Sequence, residues 1–454
     1  MASVSETLAD WLVGLDAGAL PEDARRGTLF SLIDTVGLAY AARREDYMAM
    51  LVAGWDAGAG KATAFGHGQA MDAASAAMIN GTGAHGEDFD NTYEGCPVHS
   101  GAVVVPVVLA LAEDRGIPGR RAFAAMAAGI EVMCRMGLVA GTNVHKSGFH
   151  PTAVIGAMGA AAAAGVALGL DRAGLVNAFG LAGSLAAGII EYLADGSWTK
   201  RMHAGWAAQA GIRAARMAGA GFRGPTTVFE GTHGFYFAFA GDTRPDLSPL
   251  VDNLGATWEA GRLSFKPYAC GTMCQPYIDC AVRLAAGGLR ADDIVSITCK
   301  VGEGTVHRLW APIELKRQPP SAYGGKFSGP YCVAVGFLDG DAGLAQFTED
   351  KVRDAAVLAL AAKVSYEVDP DNEYPANYTG HLRAVLRDGG VREEFQPCLR
   401  GGTRAPLTRE DIVKKFRANL AYGGMDATRA EDLLARLEGL PGSGAPVPLT
   451  MLRD

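Results

Sequence analysis

Four short segments of this sequence hold most of the side chains that could do chemistry in otherwise apolar surroundings. The first covers residues 84–100 and reads AHGEDFDNTYEGCPVHS, with two histidines and several carboxylates. Such groups are costly to bury unless they are paired. The segment is therefore either a solvated loop that caps helices or part of a functional site.

The second segment, residues 148–152, places His150 directly before an alanine-rich run. An imidazole at the N-terminus of a helix lies at the positive end of the helix dipole, which favours its neutral form. A neutral imidazole can accept a proton, so His150 is a candidate base. The alternative is a histidine satisfied by backbone groups, which is the commoner situation for a single histidine.

The third segment, residues 196–203, reads GSWTKRMH and lies between two apolar helical patterns. Lys200 and Arg201 could each pair with a carboxylate of a substrate. The alternative is the solvated start of a helix. Lysine and arginine are favoured at the opposite end of a helix, so their position here favours a functional role.

The fourth segment, residues 265–275, reads FKPYACGTMCQ and falls at a predicted domain junction, where clefts tend to form. Lys266 is a further candidate for binding a carboxylate. Tyr331, in the later run FSGPYC, is a candidate hydroxyl donor. Without the other segments, Tyr331 would be interpreted as a core aromatic residue.

Other kinds of chemistry find little support in the sequence. Cys270, Cys274 and Cys280 lack the C-x-x-C spacing of zinc and redox sites. The sequence has no phosphate-binding P-loop, no dinucleotide-binding glycine motif after a strand, and no G-x-S-x-G nucleophile motif. The signals for a metal or redox site are therefore weak, and a hydrolase site has no support.

The periodicity of apolar residues predicts the elements that position these segments. Residues 5–265 are dominated by helical patterns, with predicted helices at 121–138, 152–168, 172–193 and 204–218 and a helix breaker at 80–83. After residue 266 the pattern changes, and alternation predicts strands at 293–301 and 364–368. Asp388-Gly389 between two alternating arms predicts a hairpin over 382–396.

These patterns predict a mainly α protein with two domains. Residues 1–265 and 406–454 would form a helical domain from both ends of the chain, and residues 266–405 a smaller inserted α+β domain. The length of 454 residues favours more than one hydrophobic core.

Composition limits the partners and the compartment. The formal net charge is −8, which argues against a general nucleic-acid or acidic-membrane surface. Residues 151–170 are uncharged and long enough to span a bilayer, but they are mostly alanine and glycine and predict a buried helix. The N-terminus lacks a signal-peptide pattern, and the eight cysteines suggest no disulfide scaffold. A reducing cytoplasm is the default expectation.

Five pieces of this sequence, in order along the chain, resemble the MmgE/PrpD family. They are NGTGAHGEDFDNT with the following PVHSGAVVVPVVLALAE, GFHPTAVIGAMGAAAAAGVALGL, TKRMHAGWAAQAG, KPYACGTMCQPYID and KFSGPYCVA. That family includes 2-methylcitrate dehydratases, cis-aconitate decarboxylases and an iminodisuccinate epimerase. Each piece is moderately specific, but the five in family order cover nearly the whole chain.

The resemblance implies a helical domain with a smaller inserted lid domain, a homodimer, an active site between the domains, and no cofactor. It also implies a set of pocket residues, which in this sequence are Asp88, Thr92, His99, His150, Lys200, Lys266 and Tyr331.

The implied chemistry forms a carbanion beside a carboxylate of a small di- or tricarboxylic acid. His150 and His99 would act as the acid/base pair. Lys200 and Lys266 would hold substrate carboxylates, with Arg201 and Gln275 as further candidates for binding the substrate. Asp88 would orient His99 or Lys200, and Thr92 and Tyr331 would complete the hydrogen bonds.

One departure from the family pattern affects the predicted reaction. Members carry a histidine shortly after the lysine of the KPY piece, but residues 270–275 contain none, and Gly271 or Gln275 lies near that place. Dehydration is the first expectation, because it is the commonest activity in the family. Epimerisation or isomerisation needs only removal and return of a proton and is a close second. A decarboxylase, a non-catalytic carboxylate-binding protein and an aconitase-like iron–sulfur enzyme are the remaining alternatives.

Overall fold

The computed structural model describes residues 2–446 and 449–453. The chain divides into two compact units, and its structure is mainly α. Unit 1 consists of Met1–Gly86, Asp90–Ser264 and Ile412–Asp454, and unit 2 of Glu87–Phe89 and Phe265–Asp411. The two units are described separately below.

Unit 1 is built from helices with two small two-stranded sheets. Its helices before unit 2 are α1 (Val4–Val13), α2 (Glu22–Ala41), α3 (Asp46–Gly54), α4 (Ala73–Gly86), α5 (Ser100–Arg115), α6 (Gly119–Ala140), α7 (Asn143–Lys146), α8 (Pro151–Leu168), α9 (Arg172–Leu185), α10 (Tyr192–Asp195), α11 (Thr199–Gly219), α12 (Phe235–Ala240) and α13 (Ser248–Val251). The small sheets pair β1 (Ala62–Thr63) with β2 (Ala70–Met71), and β3 (Thr92–Tyr93) with β4 (Leu263–Ser264).

Helix α8 lies in the core of unit 1, as the sequence predicts for residues 151–170. Pro151 occupies its first turn, where the missing N–H removes no hydrogen bond, and Gly169 ends it with φ of 70°. Nearly all of its alanines are fully buried. Small side chains allow α6 and α8 to approach closely, since a Cβ at Gly129 would lie 2.8 Å from the Cβ of Ala163.

Two helices, Gly119–Ala140 and Pro151–Leu168, are long and apolar enough to cross a membrane. In each, 89% of the apolar window is buried inside the protein. Burial of this extent is the pattern of core helices, whose apolar surface is covered by neighbouring helices.

The predicted helix breaker at residues 80–83 is wrong, because α4 continues through it to Gly86. The reason lies in helix packing. A Cβ at Gly81 would lie 2.8 Å from the Cα of Gly205 in α11, and a Cβ at Gly205 would lie 2.2 Å from the carbonyl oxygen of Met78. These glycines permit contact between two helix backbones, which offsets the cost of about 1 kcal/mol for glycine inside a helix.

The single helix predicted over residues 172–193 is also wrong in its extent. Helix α9 ends at Leu185, and an irregular segment leads to the short α10. Within that segment, Gly188 has φ of 139° and its carbonyl oxygen accepts the backbone N–H of His150 at 2.9 Å. Helix α9 therefore ends just before the segment whose Gly188 carbonyl oxygen binds the start of α8.

Unit 2 combines short helices with a four-stranded sheet. The helices are α14 (Gln275–Ala286), α15 (Val306–Leu309), α16 (Ile313–Arg317), α17 (Ala322–Gly325), α18 (Gly329–Asp339) and α19 (Ala355–Ala361). The strands β5 (Ile294–Val301), β6 (Val364–Val368), β7 (Gly380–Leu386) and β8 (Val391–Gln396) are arranged in the order β6-β5-β7-β8. Helix α14 packs on β7 and β8.

The pairing of these strands confirms the predicted hairpin. Strands β7 and β8 are antiparallel, with Val385 opposite Val391 across the turn that contains Asp388-Gly389. Strand β5 runs parallel to β6 and antiparallel to β7. The chain then enters α20 (Arg409–Gly423), which crosses from unit 2 into unit 1, and ends with α21 (Ala427–Gly439) in unit 1.

Candidate functional site

Four buried histidines lie together in unit 1, and we call them the histidine cluster: His85, His99, His150 and His203. Three of them stand at helix ends. His85 is near the end of α4, His99 precedes α5 and His150 precedes α8, while His203 lies in α11. The ends of three helices and the side of a fourth thus bring residues from distant parts of the sequence to one place.

The rings of the histidine cluster form a continuous series of contacts. The ring centres of His85 and His99 are 4.7 Å apart, and those of His85 and His150 are 5.5 Å apart with nearly parallel planes. The centres of His150 and His203 are 5.3 Å apart. Such packing fixes the ring orientations.

Asp90 is the carboxylate of this cluster. Its Oδ2 lies 2.8 Å from Nδ1 of His85 and 3.2 Å from Nδ1 of His99, and its side chain is fully buried. Burial by itself would raise the pKa of Asp90, but His99 and His85 outweigh this effect and hold that pKa well below its usual range. Asp90 is therefore ionised and accepts hydrogen bonds.

His150 and His203 face each other without a carboxylate. Their Nδ1 atoms are 3.2 Å apart, so one nitrogen donates and the other accepts. Burial, followed by the nearby His85 and Lys200, lowers the pKa of His150 well below its usual value. The same causes lower the pKa of His203 to about 4. This lowering is in the direction predicted for His150, with burial as its main cause.

The two cations at the start of α11, Lys200 and Arg201, differ in their surroundings. The charge of Lys200 contributes to lowering the pKa of both His150 and His203, so the structure brings Lys200 to the histidine cluster. The guanidinium of Arg201 instead lies 4.2 Å from the ring centre of Tyr47, a cation–π contact. Arg201 is thereby held against an aromatic ring, and its predicted role in binding substrate stays a prediction.

Two threonines stand two residues after Asp90 and two residues after His150 in the sequence. Thr92, a predicted pocket residue, lies in β3 opposite Ser264 of β4 and is partly buried. The hydroxyl of Thr152, in the first turn of α8, accepts the backbone N–H of His99 at 3.2 Å. This hydrogen bond from His99 to Thr152 connects the segment before α5 with the start of α8.

A second buried cluster lies in unit 2, and we call it the lysine–carboxylate cluster: Glu87, Asp88, Lys266, Tyr323 and Lys326. Nζ of Lys266 donates to the carbonyl oxygen of Asp88 at 2.6 Å and lies 3.9 Å from its Oδ1. The hydroxyl of Tyr323 donates to Oδ2 of Asp88 at 3.0 Å. The predicted residues Asp88 and Lys266 are therefore brought together.

Lys326 and Glu87 form the second half of that cluster. Nζ of Lys326 lies 2.5 Å from Oε2 of Glu87 and donates to the carbonyl oxygen of Glu87 at 2.8 Å. Both side chains are at least nine-tenths buried. Two lysines thus bind successive residues of one short segment, and each cation has a carboxylate nearby.

The backbone of Asp88 is in the left-handed region, with φ of 55°. For a residue other than glycine this conformation costs about 1–2 kcal/mol, and it persists where the surroundings fix it. Lys266 and Tyr323 bind the carbonyl and the carboxylate of Asp88, and they supply this fixation.

The structure shows contacts of two residues with predicted roles, Asp88 and Tyr331, and those roles stay predictions. The carboxylate that contacts His99 belongs to Asp90, whereas the side chain of Asp88 is held by Tyr323 and Lys266. The hydroxyl of Tyr331 donates to the carbonyl oxygen of Gln346 at 2.6 Å, so Tyr331 is a core residue of unit 2 and Tyr323 is the tyrosine at Asp88.

Gln275 supports the backbone of the KPY segment. Its Nε2 donates to the carbonyl oxygens of Cys270 and Tyr268 at 3.4 and 3.5 Å, and the side chain is buried. The structure thus shows a contact with the protein's own backbone, and the predicted substrate contact of Gln275 stays a prediction.

Gly271, one of the two residues near the place where the resemblance implies a histidine, is closely packed in this chain. The backbone N–H of Gly271 donates to the carbonyl oxygen of Lys326 at 2.9 Å. A Cβ at Gly271 would lie 3.2 Å from Cδ1 of Phe327, which is tighter than ordinary contact. A larger side chain at Gly271 therefore requires Phe327 to move.

Sequence reasoning missed six residues of the two clusters: His85, Glu87, Asp90, His203, Tyr323 and Lys326. Five of them lie within the motifs that carry the family resemblance, and Tyr323 lies three residues before Lys326. The sequence signal that could have found them was the presence of other titratable residues close to the residues that were predicted. Only the folded chain shows which of two neighbours points inward.

One group of residues has the composition of a metal site. The ligand atoms of His85, Asp90 and His99 all lie within 4.8 Å of one another and could hold a metal ion. The N–O distances of 2.8 and 3.2 Å are also ordinary hydrogen-bond lengths. The same three residues therefore also suit a carboxylate that is hydrogen-bonded to His85 and lies at ion-pair distance from His99.

Comparison with known proteins identifies the class of this chain. Residues 6–248 match the MmgE/PrpD N-terminal domain, and residues 268–438 match the MmgE/PrpD C-terminal domain. The chain belongs to the MmgE/PrpD family, which confirms the resemblance drawn from its motifs.

Similar proteins include cis-aconitate decarboxylases from three organisms. The one from Aspergillus terreus is 26% identical over 469 residues, covering 97% of this chain and 94% of that protein. The one from Homo sapiens is 28% identical, covering 92% and 88%, and the one from Mus musculus is 30% identical, covering 76% and 71%. With this family membership, the chain is an enzyme of the lyase, isomerase or decarboxylase type.

Proposed function

We propose that this enzyme removes a proton beside a carboxylate of a small di- or tricarboxylic acid and eliminates water from it. The observation that carries the proposal is the histidine cluster, in which a buried neutral imidazole lies in contact with imidazoles that share an ionised carboxylate. A positioned acid or base of this kind contributes typically about 10²–10⁴-fold to a rate.

The proposed step follows from the state of each group. His150 is neutral and takes the proton from carbon, and the C–H electron pair forms the new double bond. The hydroxyl group leaves as water after receiving a proton from His99. Lys200 supplies positive charge near the base, where it stabilises the negative charge that develops on the adjacent carboxylate.

Isomerisation or epimerisation is the second candidate, and the observation that favours it is Gly271. Family members carry a histidine near this place, and here the site packs against Phe327. An enzyme that returns the proton to the same substrate needs only the acid/base pair. Decarboxylation is the activity named for the similar proteins, and a decarboxylase would act on cis-aconitate or a related acid.

Proton NMR in D₂O with a panel of acids separates these reactions. The panel contains 2-methylcitrate, citrate, cis-aconitate and aminodicarboxylates. A new vinyl signal from a hydroxy acid supports dehydration, whereas deuterium entering one acid without net conversion supports the isomerase. Formation of itaconate from cis-aconitate would replace the dehydratase by a decarboxylase. Ligand-induced stabilisation without exchange or conversion of any acid would contradict the proposal and favour a binding protein.

We also propose that the enzyme acts as a cytoplasmic homodimer, as the family resemblance implies. Sedimentation at several concentrations tests the dimer, and a monomer at all of them would refute it.

A further inference from the structure

Residues 85–90, which we call the 85–90 segment, lead out of α4 toward β3 and are all buried. Connecting segments normally lie on the surface, because their backbone polar groups need partners when they are buried. The two ends of this segment meet, since Nδ1 of His85 forms a hydrogen bond of 2.8 Å with Oδ2 of Asp90. Both end residues therefore lie at the histidine cluster, and the residues between them form a buried loop.

The middle of the 85–90 segment is held by two lysines. Residues 87–89 are grouped with unit 2, although their neighbours in the chain belong to unit 1. The carbonyl oxygen of Glu87 accepts Nζ of Lys326 at 2.8 Å, and that of Asp88 accepts Nζ of Lys266 at 2.6 Å. These bonds supply the partners that buried carbonyl groups need. A displacement of either lysine would therefore be passed along the covalent chain to both ends of the segment.

Lys326 is fixed through both its side chain and its backbone. Its Nζ also lies 2.5 Å from Oε2 of Glu87, and its side chain is 1% exposed. Its carbonyl oxygen accepts the N–H of Gly271 at 2.9 Å, and its own N–H donates to the carbonyl oxygen of Tyr323 at 3.2 Å. Since Lys266 is predicted to bind a substrate carboxylate, Lys326 is the lysine that can hold the 85–90 segment both with and without substrate.

The ends of the 85–90 segment contact the two histidines of the predicted acid/base pair. The ring centre of His85 is 4.7 Å from that of His99 and 5.5 Å from that of His150. Oδ2 of Asp90 lies 3.2 Å from Nδ1 of His99. A misplacement of about 1 Å in a catalytic group can lower a rate about 10²-fold. The position of the segment therefore affects the rate without any contact with the substrate.

We propose that Lys326 is a positioning residue, which binds Glu87 and thereby keeps His85 and Asp90 in the places from which they orient the acid/base pair. This inference rests on the proposed function of the histidine cluster. It gives Lys326 an effect on kcat that is separate from its effect on stability.

The first test compares two variants that both lack the lysine but differ in stability. Lys326→Met leaves the carboxylate of Glu87 buried without its cation, whereas Lys326→Met combined with Glu87→Leu removes both charges. Replacing a buried ion pair by apolar residues is often neutral or stabilising, so the double variant should stay folded. We expect kcat to fall about 10–10²-fold in both variants, with KM changed less than about twofold.

Either variant decides the question if only one of them folds. Unchanged kcat in a folded variant would overturn the inference. A kcat that falls in Lys326→Met and returns to the wild-type value in the double variant would assign the loss to stability, which also refutes a positioning role.

The matched control is Asp34→Leu combined with Lys415→Met. These residues form another buried ion pair, with Nζ of Lys415 2.7 Å from Oδ1 of Asp34, and both belong to unit 1. The control removes the same two kinds of charge without touching the 85–90 segment, so its kcat should stay within about twofold of the wild-type value. An equal loss of kcat in the control would refute the special role of Lys326.

A second measurement does not depend on turnover. Carbon-13 NMR of labelled histidine rings reports the surroundings of His85, whose signal is identified by its loss in His85→Gln. We expect this signal to move in the Lys326 variants and to stay in place in the control. An unmoved signal in a folded Lys326 variant would overturn the inference. If the wild-type enzyme converts none of the acids, the proposed function fails, and the NMR signal still tests the positioning by Lys326.

Discussion

The histidine cluster of unit 1 and the lysine–carboxylate cluster of unit 2 are both buried, but they differ in charge. Burial favours the neutral form of imidazoles in the first, whereas the second keeps charged lysines paired with carboxylates. In the first, four imidazoles lie together, of which only His85 and His99 lie beside the carboxylate of Asp90, and burial lowers the pKa of His150 and of His203. In the second, Lys266 and Lys326 each have a carboxylate and a backbone carbonyl as partners. The first arrangement is suited to moving protons, and the second to holding fixed charges.

The difference follows from the chemistry of the side chains. An imidazole loses its proton at modest cost, so burial shifts it to the neutral form. An ammonium group in a buried place is retained by an ion pair and hydrogen bonds. Substitutions should therefore affect catalysis most in the histidine cluster and stability most in the lysine–carboxylate cluster.

The largest expected effect is on catalysis. His150→Gln should lower kcat about 10²–10⁴-fold, because it removes the proposed base while keeping a polar side chain. Turnover of the substrate found by NMR is the measurement. His233→Gln is the control, since His233 is exposed and contacts Phe237. Equal rates for both variants would contradict the assignment of the base.

The largest expected effect on stability is in unit 2. Lys326→Met should lower the free energy of unfolding by about 3–5 kcal/mol, because it leaves the carboxylate of Glu87 buried without its cation. Urea unfolding measures this change. Lys351→Met, which removes a more exposed cation paired with Asp339, should cost below about 1 kcal/mol. Similar losses in both variants would show that Lys326 is not held as a fixed buried charge.

Acid should weaken the fold through the histidine cluster. His203 has a pKa of about 4 in the folded protein, whereas an unfolded histidine binds a proton below about pH 6.5. The unfolded chain therefore binds more protons between these values, and the free energy of unfolding should fall as pH falls from about 6.5 to about 4. The contribution of His203 is about 1–3 kcal/mol.

Urea unfolding at several pH values checks this expectation. His203→Gln should give a flatter dependence in that window, because glutamine does not titrate. His233→Gln should keep the wild-type slope, since His233 is exposed. An equally steep dependence in the His203 variant would remove this residue as a source of acid sensitivity.

The smallest expected effect separates two tyrosines of unit 2. Tyr323→Phe removes a hydrogen bond to the carboxylate of Asp88, and Tyr331→Phe removes one to the carbonyl oxygen of Gln346. We expect losses of about 1.5–3 and about 0.5–1.5 kcal/mol in the free energy of unfolding, since hydrogen bonds to charged groups are stronger. The reverse order in urea unfolding would place the more important tyrosine at position 331.

The sequence predicts elements well where local signals and packing agree. Asp388-Gly389 forms the predicted hairpin, and the alanine-rich run after His150 forms the predicted buried helix. The breaker at residues 80–83 fails because glycine there serves contact between two helices, which no local pattern contains.

The candidate site was predictable in its residue types but less so in its pairings. Asp88 and Asp90 are two residues apart, and the left-handed backbone of Asp88 separates the directions of their side chains. Tyr323 and Tyr331 are eight residues apart, and Tyr323 is the one that binds Asp88. Motif reading selects a region of sequence, whereas the direction of each side chain depends on the fold.

The contact of Gly81 with Gly205 has a consequence for engineering. It joins α4, which carries His85, to α11, which carries Lys200 and His203, with no room for a Cβ between the backbones. Directed evolution toward bulkier acids therefore cannot enlarge the site by moving these two helices apart. New specificity has to come from exchanged side chains, and a methyl group added at Gly205 would displace the two helices that carry residues of the candidate site.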